Sequence, residues 1–120
     1  MRYKLEMKIY RGMRSQNGNV VTVTSTMNND QIEKKLNPRF DLRNHSPTGF
    51  EWGYGGSGPA QLALAILADH TDDSEKTLRY YQDFKFKVIG RLNEDKWTLT
   101  SQEVEKAFCE IQTKTIRVER

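Results

Sequence analysis

The residues best placed to do chemistry lie between positions 39 and 61. Gly53-Tyr54-Gly55-Gly56-Ser57-Gly58 runs directly into the apolar segment Pro59 to His70. A helix beginning there presents unpaired N–H groups and roughly half a positive charge, which attract anions. Acids in the first turn commonly quench that end. This segment opens with Ala60, Gln61 and Leu62 and has no acid before Asp69. Gly55, Gly56 and Gly58 let a ligand approach the backbone, and Ser57 and Gln61 add hydrogen-bonding side chains. Trp52 and Tyr54 are flat surfaces on which a base can stack. Arg39 and Arg43 can fork onto a phosphate. These residues together define the expected ligand site. The expected ligand is an anionic, phosphate-bearing or nucleotide-like small molecule.

A packing reading of the same residues stands beside this one. Glycines before a buried helix allow close approach, Trp52 and Tyr54 can be core, and Glu51 can fold back to cap the helix. Arg39, Asp41 and Arg43 can form an ion-pair cluster that pins the loop. The pattern G-x-G-x-x-G is also present at 53–58, but its context is wrong for a dinucleotide fold. That fold needs a strand before the glycines and a parallel strand after the helix. Here Thr71-Asp72-Asp73 and a second helix follow. No Lys-Ser/Thr follows the last glycine, so it is not a P-loop either.

Other chemistry is sparse. His45 and His70 are the only histidines and Cys109 the only thiol. Cys109 falls beside an apolar helical stripe, where free cysteine behaves as a small hydrophobe. His70 near a helix C-terminus is favoured there by the dipole. No His/Cys/Asp/Glu spacing resembles a metal site. The expectation is therefore no catalytic residue, no metal and no cofactor.

The elements that must position the loop follow from periodicity. From Tyr3 to Ile9 apolar and charged residues alternate, the period of a half-buried strand. Asn17-Gly18 suits a tight hairpin turn, and the β-branched run Val20 to Thr26 reads as the return strand. Asp30 to Leu36 suggests a short helical turn, and 37–58 a long loop. Pro59 to His70 is a helix apolar all round, with Gly58 as its N-cap, and belongs mid-domain. Asp72 or Asp73 caps a second helix to about Ile89, striped by Leu78, Tyr81, Phe84 and Val88 and ended by Gly90. Lys96 to Thr100 is a short strand. Thr100 and Glu103 form a capping box for a last helix striped by Val104, Ala107, Phe108 and Ile111. The tail from Thr113 reads as a weak strand or frayed end.

The fold class is thus α+β within one domain over 1–120. A hairpin occupies 1–27, and the helical part fills 59–112 with a short strand near 96–100.

Composition bounds the function. With 36% hydrophobic and 29% charged residues and a single cysteine, the chain can bury a core and has no disulfide framework. The longest apolar stretch, Leu62 to Ala68, is far short of the ~20 residues that cross a bilayer. A cytoplasmic protein without a membrane contact is expected. The net charge of +3 is concentrated at the start, where Arg2, Lys4, Lys8, Arg11 and Arg14 face Glu6 alone. Such a strand is either a phosphate footprint, making nucleic acid a possible partner, or the wet face of an edge strand. A free basic edge also makes homo-oligomerisation expected.

The stretch Asp41-Leu42-Arg43-Asn44-His45-Ser46-Pro47-Thr48-Gly49-Phe50-Glu51-Trp52-Gly53-Tyr54-Gly55-Gly56-Ser57-Gly58-Pro59-Ala60-Gln61-Leu62-Ala63 resembles the hallmark of a family of small proteins of unknown function. That family is scattered through bacteria, archaea and their phages. Tyr10-x-Gly12, Tyr81, Phe84 and Trp97-x-Leu99 are similar too, so the resemblance covers nearly the whole chain. It supplies no catalytic residue. It implies an occurrence in phages and mobile elements, where small domains block host defence by sequestering a nucleotide signal or by binding a host protein. A protein-binding inhibitor using the aromatic loop is therefore the alternative to a ligand-binding module.

Overall fold

The alternating N-terminal segment forms β1 (Glu6–Met13) and the β-branched run forms β2 (Val20–Met27), paired antiparallel with Tyr10 opposite Val23 and Gly12 opposite Val21. These coordinates are a computed structural model that describes residues 6–118, with side chains to 115. Tyr3 and Leu5 of the expected strand lie outside the described residues. The connection is longer than a two-residue turn: Gly18 N–H closes on Ser15 C=O at 3.1 Å, and Gly18 takes φ +112°.

Two expectations are corrected here. Asp30–Lys35 is not a helical turn but a third strand, β3, fully exposed and paired to β2. The basic strand β1 is not a free edge, because β4 (Lys96–Thr100) pairs on its other side. The sheet order is β3-β2-β1-β4, so β3 and β4 are the edges.

The buried side of β1 is its even-numbered side. Lys8, Tyr10 and Gly12 face the helices, while Met7 and Met13 are exposed on the open face. Gly12 makes this possible. The indole of Trp97, its register partner, lies across it, and a Cβ there would collide with the ring. Trp97 in turn packs edge-on against Trp52, with centroids 5.5 Å apart.

The apolar segment forms α1 (Ser57–Thr71), starting two residues earlier than expected, with Gly56 rather than Gly58 at the N-cap. Gly58 to Ala68 are all buried, as a helix apolar all round requires. Next comes α2 (Ser74–Lys87), capped by the Asp73 carboxylate accepting from Lys76 N–H at 3.0 Å. Its buried side centres on Thr77, Tyr80, Tyr81 and Phe84, so Leu78 and Val88 are only half-buried. A 3-10 turn at Ile89–Arg91 leads to β4. The capping box is realised: Thr100 Oγ1 accepts Glu103 N–H at 3.1 Å and Glu103 Oε1 accepts Thr100 N–H at 3.0 Å. Helix α3 (Ser101–Val118) runs through the segment read as a weak strand, so the tail is helical to Val118. The architecture is α+β, an open four-stranded sheet with helices packed on one face.

Candidate functional site

The loop 37–58 is held to α1 by one side chain. Gln61 is fully buried, and its amide is saturated. Oε1 accepts the N–H groups of His45 (2.7 Å) and Ser46 (3.1 Å), while Nε2 donates to the carbonyls of Pro38 (2.6 Å) and Arg43 (3.0 Å). A buried amide has two donors and two acceptor lone pairs, and all four are used within the chain. Gln61 is therefore a latch for the loop.

Trp52 is also fully buried, and its Nε1 donates to Glu94 C=O at 2.8 Å. Arg14 covers the ring at 4.6 Å while donating to Trp52 C=O at 2.8 Å and Glu51 Oε1 at 3.2 Å. Glu51 thus pairs with Arg14, and no side chain caps α1. The glycines sit against protein atoms: a Cβ on Gly56 would lie 2.5 Å from the Tyr54 ring, and one on Gly58 would lie 2.6 Å from Glu51 Cβ. Gly53 takes φ +88° and closes onto Ile89 C=O at 3.1 Å. Ser57 is exposed, and the first turn of α1 carries no acid.

The two arginines are not brought to the glycines. Arg39, at φ +60°, forks onto Asp41 with both contacts at 3.0 Å, which holds the Asp41 carboxyl below its ordinary range. It lines a hollow with Ala65, Ala68 and Asp72, toward the other end of α1. Arg43 is exposed and contributes its carbonyl to Gln61.

Tyr54 is not core; it is 52% exposed. Gly55, next to it, bears on the ring edge of Phe86, where a Cβ would lie 3.1 Å away. Phe86 is 61% exposed, with Lys85 Nζ 4.2 Å from its centroid on one face. It rims a groove of about 530 Å3 between α2 and α3 whose charged lining is Asp83, Lys87, Arg91, Glu110 and Lys114. Lys87 pairs with Glu110 at 3.4 Å. Arg91 and Lys114 make no ion pair among the described residues. Sequence reasoning missed this groove. Its signal was Phe86 itself, which lies roughly 200° around the helix from Phe84 and so off the buried stripe.

A second polar cluster closes the C-terminal end of α1. Lys8 Nζ meets Asp69 Oδ2 at 3.1 Å and Tyr10 O–H donates to the same oxygen at 2.8 Å. Burial, then the Asp69 charge, pushes the Tyr10 hydroxyl well above its ordinary range. His70 Nε2 bonds Glu105 Oε1 at 2.6 Å, and Cys109 donates to Glu105 Oε2 at 3.1 Å. Cys109 is exposed, not a buried hydrophobe, and the adjacent carboxylate raises its thiol pKa. That is the opposite of nucleophile activation. His45 instead bonds Tyr81 O–H at 2.6 Å, so the histidine near the thiol is His70.

A family model matches residues 10–110 of the chain. The chain belongs to the family of unknown function DUF6166. The span matched to DUF6166 contains the Gln61 latch, the Trp52–Trp97 contact, Phe86 and Arg91. No curated protein and no solved structure matches the chain. No helix among the described residues is long and apolar enough to cross a membrane.

Proposed function

We propose that the protein is a non-enzymatic binding module for a phosphate-bearing, nucleotide-like small molecule, held in the groove between α2 and α3. One observation carries this reading: exposed Phe86 shares that groove with Arg91 and Lys114, two cations without ion-pair partners among the described residues. The free face of Phe86 stacks a base, and Arg91 and Lys114 hold phosphate. The glycine-rich loop serves the site indirectly. Gly55 backs the Phe86 ring, and Tyr54 beside it extends the aromatic surface. Trp52 and Gln61 keep that loop in place from within the core.

Calorimetric titration with mono-, di- and cyclic nucleotides tests the proposal. At least one binds with a dissociation constant below about 1 mM, and Phe86→Ala and Arg91→Ala each weaken it about tenfold. If no nucleotide binds that tightly, the reading fails.

A protein partner docking on Tyr54 and Phe86 is the second reading, favoured by the exposure of both rings. It predicts a co-purifying partner lost in Phe86→Ala and no change in melting temperature with any nucleotide. The basic strand offers less support for nucleic acid, since Lys8 and Arg14 are tied to Asp69, Glu51 and Asp95.

A further inference from the structure

Strand β3 is bonded on one side only, and all of its residues are exposed. Its register sets Lys34 opposite Val23, Ile32 opposite Ser25 and Asp30 opposite Met27. Leu36 N–H donates to Val21 C=O at 3.0 Å. Antiparallel pairs alternate between hydrogen-bonded and non-hydrogen-bonded positions, so this bond fixes the phase of the strand. The backbone groups of Asp30, Ile32 and Lys34 turn toward β2. Those of Gln31, Glu33 and Lys35 point away from the sheet and are free to bond another strand.

The side chains of Asp30, Ile32 and Lys34 share the helix-side face, where they line a hollow of about 390 Å3 with Val23 and Asp69. Ile32 is 66% exposed, more than any other large apolar side chain among the described residues. Asp30 and Lys34 make no ion pair among the described residues. An apolar residue flanked at two positions either way by an acid and a base is its own antiparallel complement.

We propose that a second copy of the chain pairs with this edge, β3 against β3, across a twofold axis between the two Ile32 side chains. Ile32 then stands opposite the partner's Ile32, and Asp30 opposite the partner's Lys34, twice by symmetry. Gln31 and Glu33 exchange the backbone hydrogen bonds. Outward-pointing groups must meet outward-pointing groups, so the register can shift only by two residues. A shift one way sets Glu33 against the partner's Glu33, two like charges on the axis. A shift the other way pairs only half the strand. The result is a continuous eight-stranded sheet. It is independent of the groove between α2 and α3.

Sedimentation velocity on the full chain tests the interface. The wild type moves from the 14.0 kDa monomer toward twice that mass as its concentration rises to about 1 mM. Ile32→Lys stays monomeric. Asp30→Lys, which sets lysine against lysine, weakens association about tenfold, and adding Lys34→Asp restores it. In a Cys109→Ser background, Ile32→Cys forms a disulfide dimer on mild oxidation, because a non-hydrogen-bonded pair brings Cα atoms to about 4.5 Å. Circular dichroism confirms that each variant is folded. A wild type monomeric throughout, or a dimer indifferent to Ile32→Lys and to the charge exchange, overturns the proposal.

Discussion

Gln61 concentrates more of the loop's hydrogen bonding than any other side chain described. Four backbone groups from Pro38 to Ser46 depend on it, and it sits where no water reaches. Gln61→Leu keeps the size and removes every partner at once. The expected loss is about 3 kcal/mol, since buried groups left unsatisfied cost about 1–3 kcal/mol each and the loop recovers part by hydration. Urea unfolding measures it. A loss under about 1 kcal/mol would show that the loop holds itself. The sequence shows an amide in the first turn of a helix, and from that position alone a ligand and a latch look the same. The difference is made by carbonyls more than fifteen residues upstream, which no local pattern places beside it.

Glu105 offers a second test at this scale. The His70 hydrogen bond, chiefly, holds its carboxyl below the ordinary range, and Glu105 holds the Cys109 thiol above its own. A carboxyl depressed in the folded state adds stability above its unfolded pKa, and that stability drains as pH falls through the folded value. Glu105→Gln therefore flattens the acid limb of the stability curve below about pH 4, near the ordinary carboxylate pKa. The side chain is 55% exposed, so solvent screens the effect. The thiol is the sharper reporter. Exposed Cys109 alkylates more slowly than an unperturbed cysteine at neutral pH, and Glu105→Gln speeds it. Equal rates in the two proteins would contradict the assignment.

At the scale of elements, the sheet and the loop before α1 meet through a glycine and two tryptophans. Gly12→Ala drives a methyl into the Trp97 ring, which is itself wedged against Trp52. The expected cost is about 3 kcal/mol, the upper part of the range for overpacking a core. Trp97→Leu frees that space, so the double variant loses less than the sum of the two single losses in urea unfolding. Additive losses would place the strain elsewhere.

Legibility divides along the same line between local and distant causes. Lys96 to Thr100 and the start of the helix after it were readable to the residue, because alternation and the Thr100–Glu103 box lie within the segment itself, whereas the end of that helix, at Val118, was not. Strand β3 was not. Asp30 to Lys35 is charged, exposed and barely β-branched, and it is a strand because β2 supplies its hydrogen bonds. Likewise the alternation of β1 was visible, but its buried side was not. Tyr10 and Gly12 face inward because Trp97, far along the chain on β4, lies across Gly12.

For the whole molecule, two of the five cations of the first segment, Lys8 and Arg14, are consumed by the fold; Arg11 bonds the Thr24 hydroxyl, and Arg2 and Lys4 lie outside the described residues. Lys8 and Arg14 bind carboxylates of α1, the loop and the β4 approach. Two cations free of such ties, Arg91 and Lys114, line the groove beside Phe86. The glycine-rich loop links the two regions. Its buried half, Trp52 and Gly58, locks onto Arg14 and Glu51, and in its exposed half Gly55 backs Phe86 while the Tyr54 ring covers Gly56. A loop that is half core and half rim explains why ligand and packing readings both fitted its residues.

The claim that the groove between α2 and α3 takes a phosphate-bearing, base-containing ligand is tested most directly by amide chemical-shift mapping. The uniformly labelled chain is titrated with a nucleoside monophosphate. The account predicts shifts confined to Gly55, Phe86, Lys87, Arg91 and Lys114, absent in Phe86→Ala. Shifts on the open sheet face or along β1, or none at concentrations near 1 mM, would contradict it.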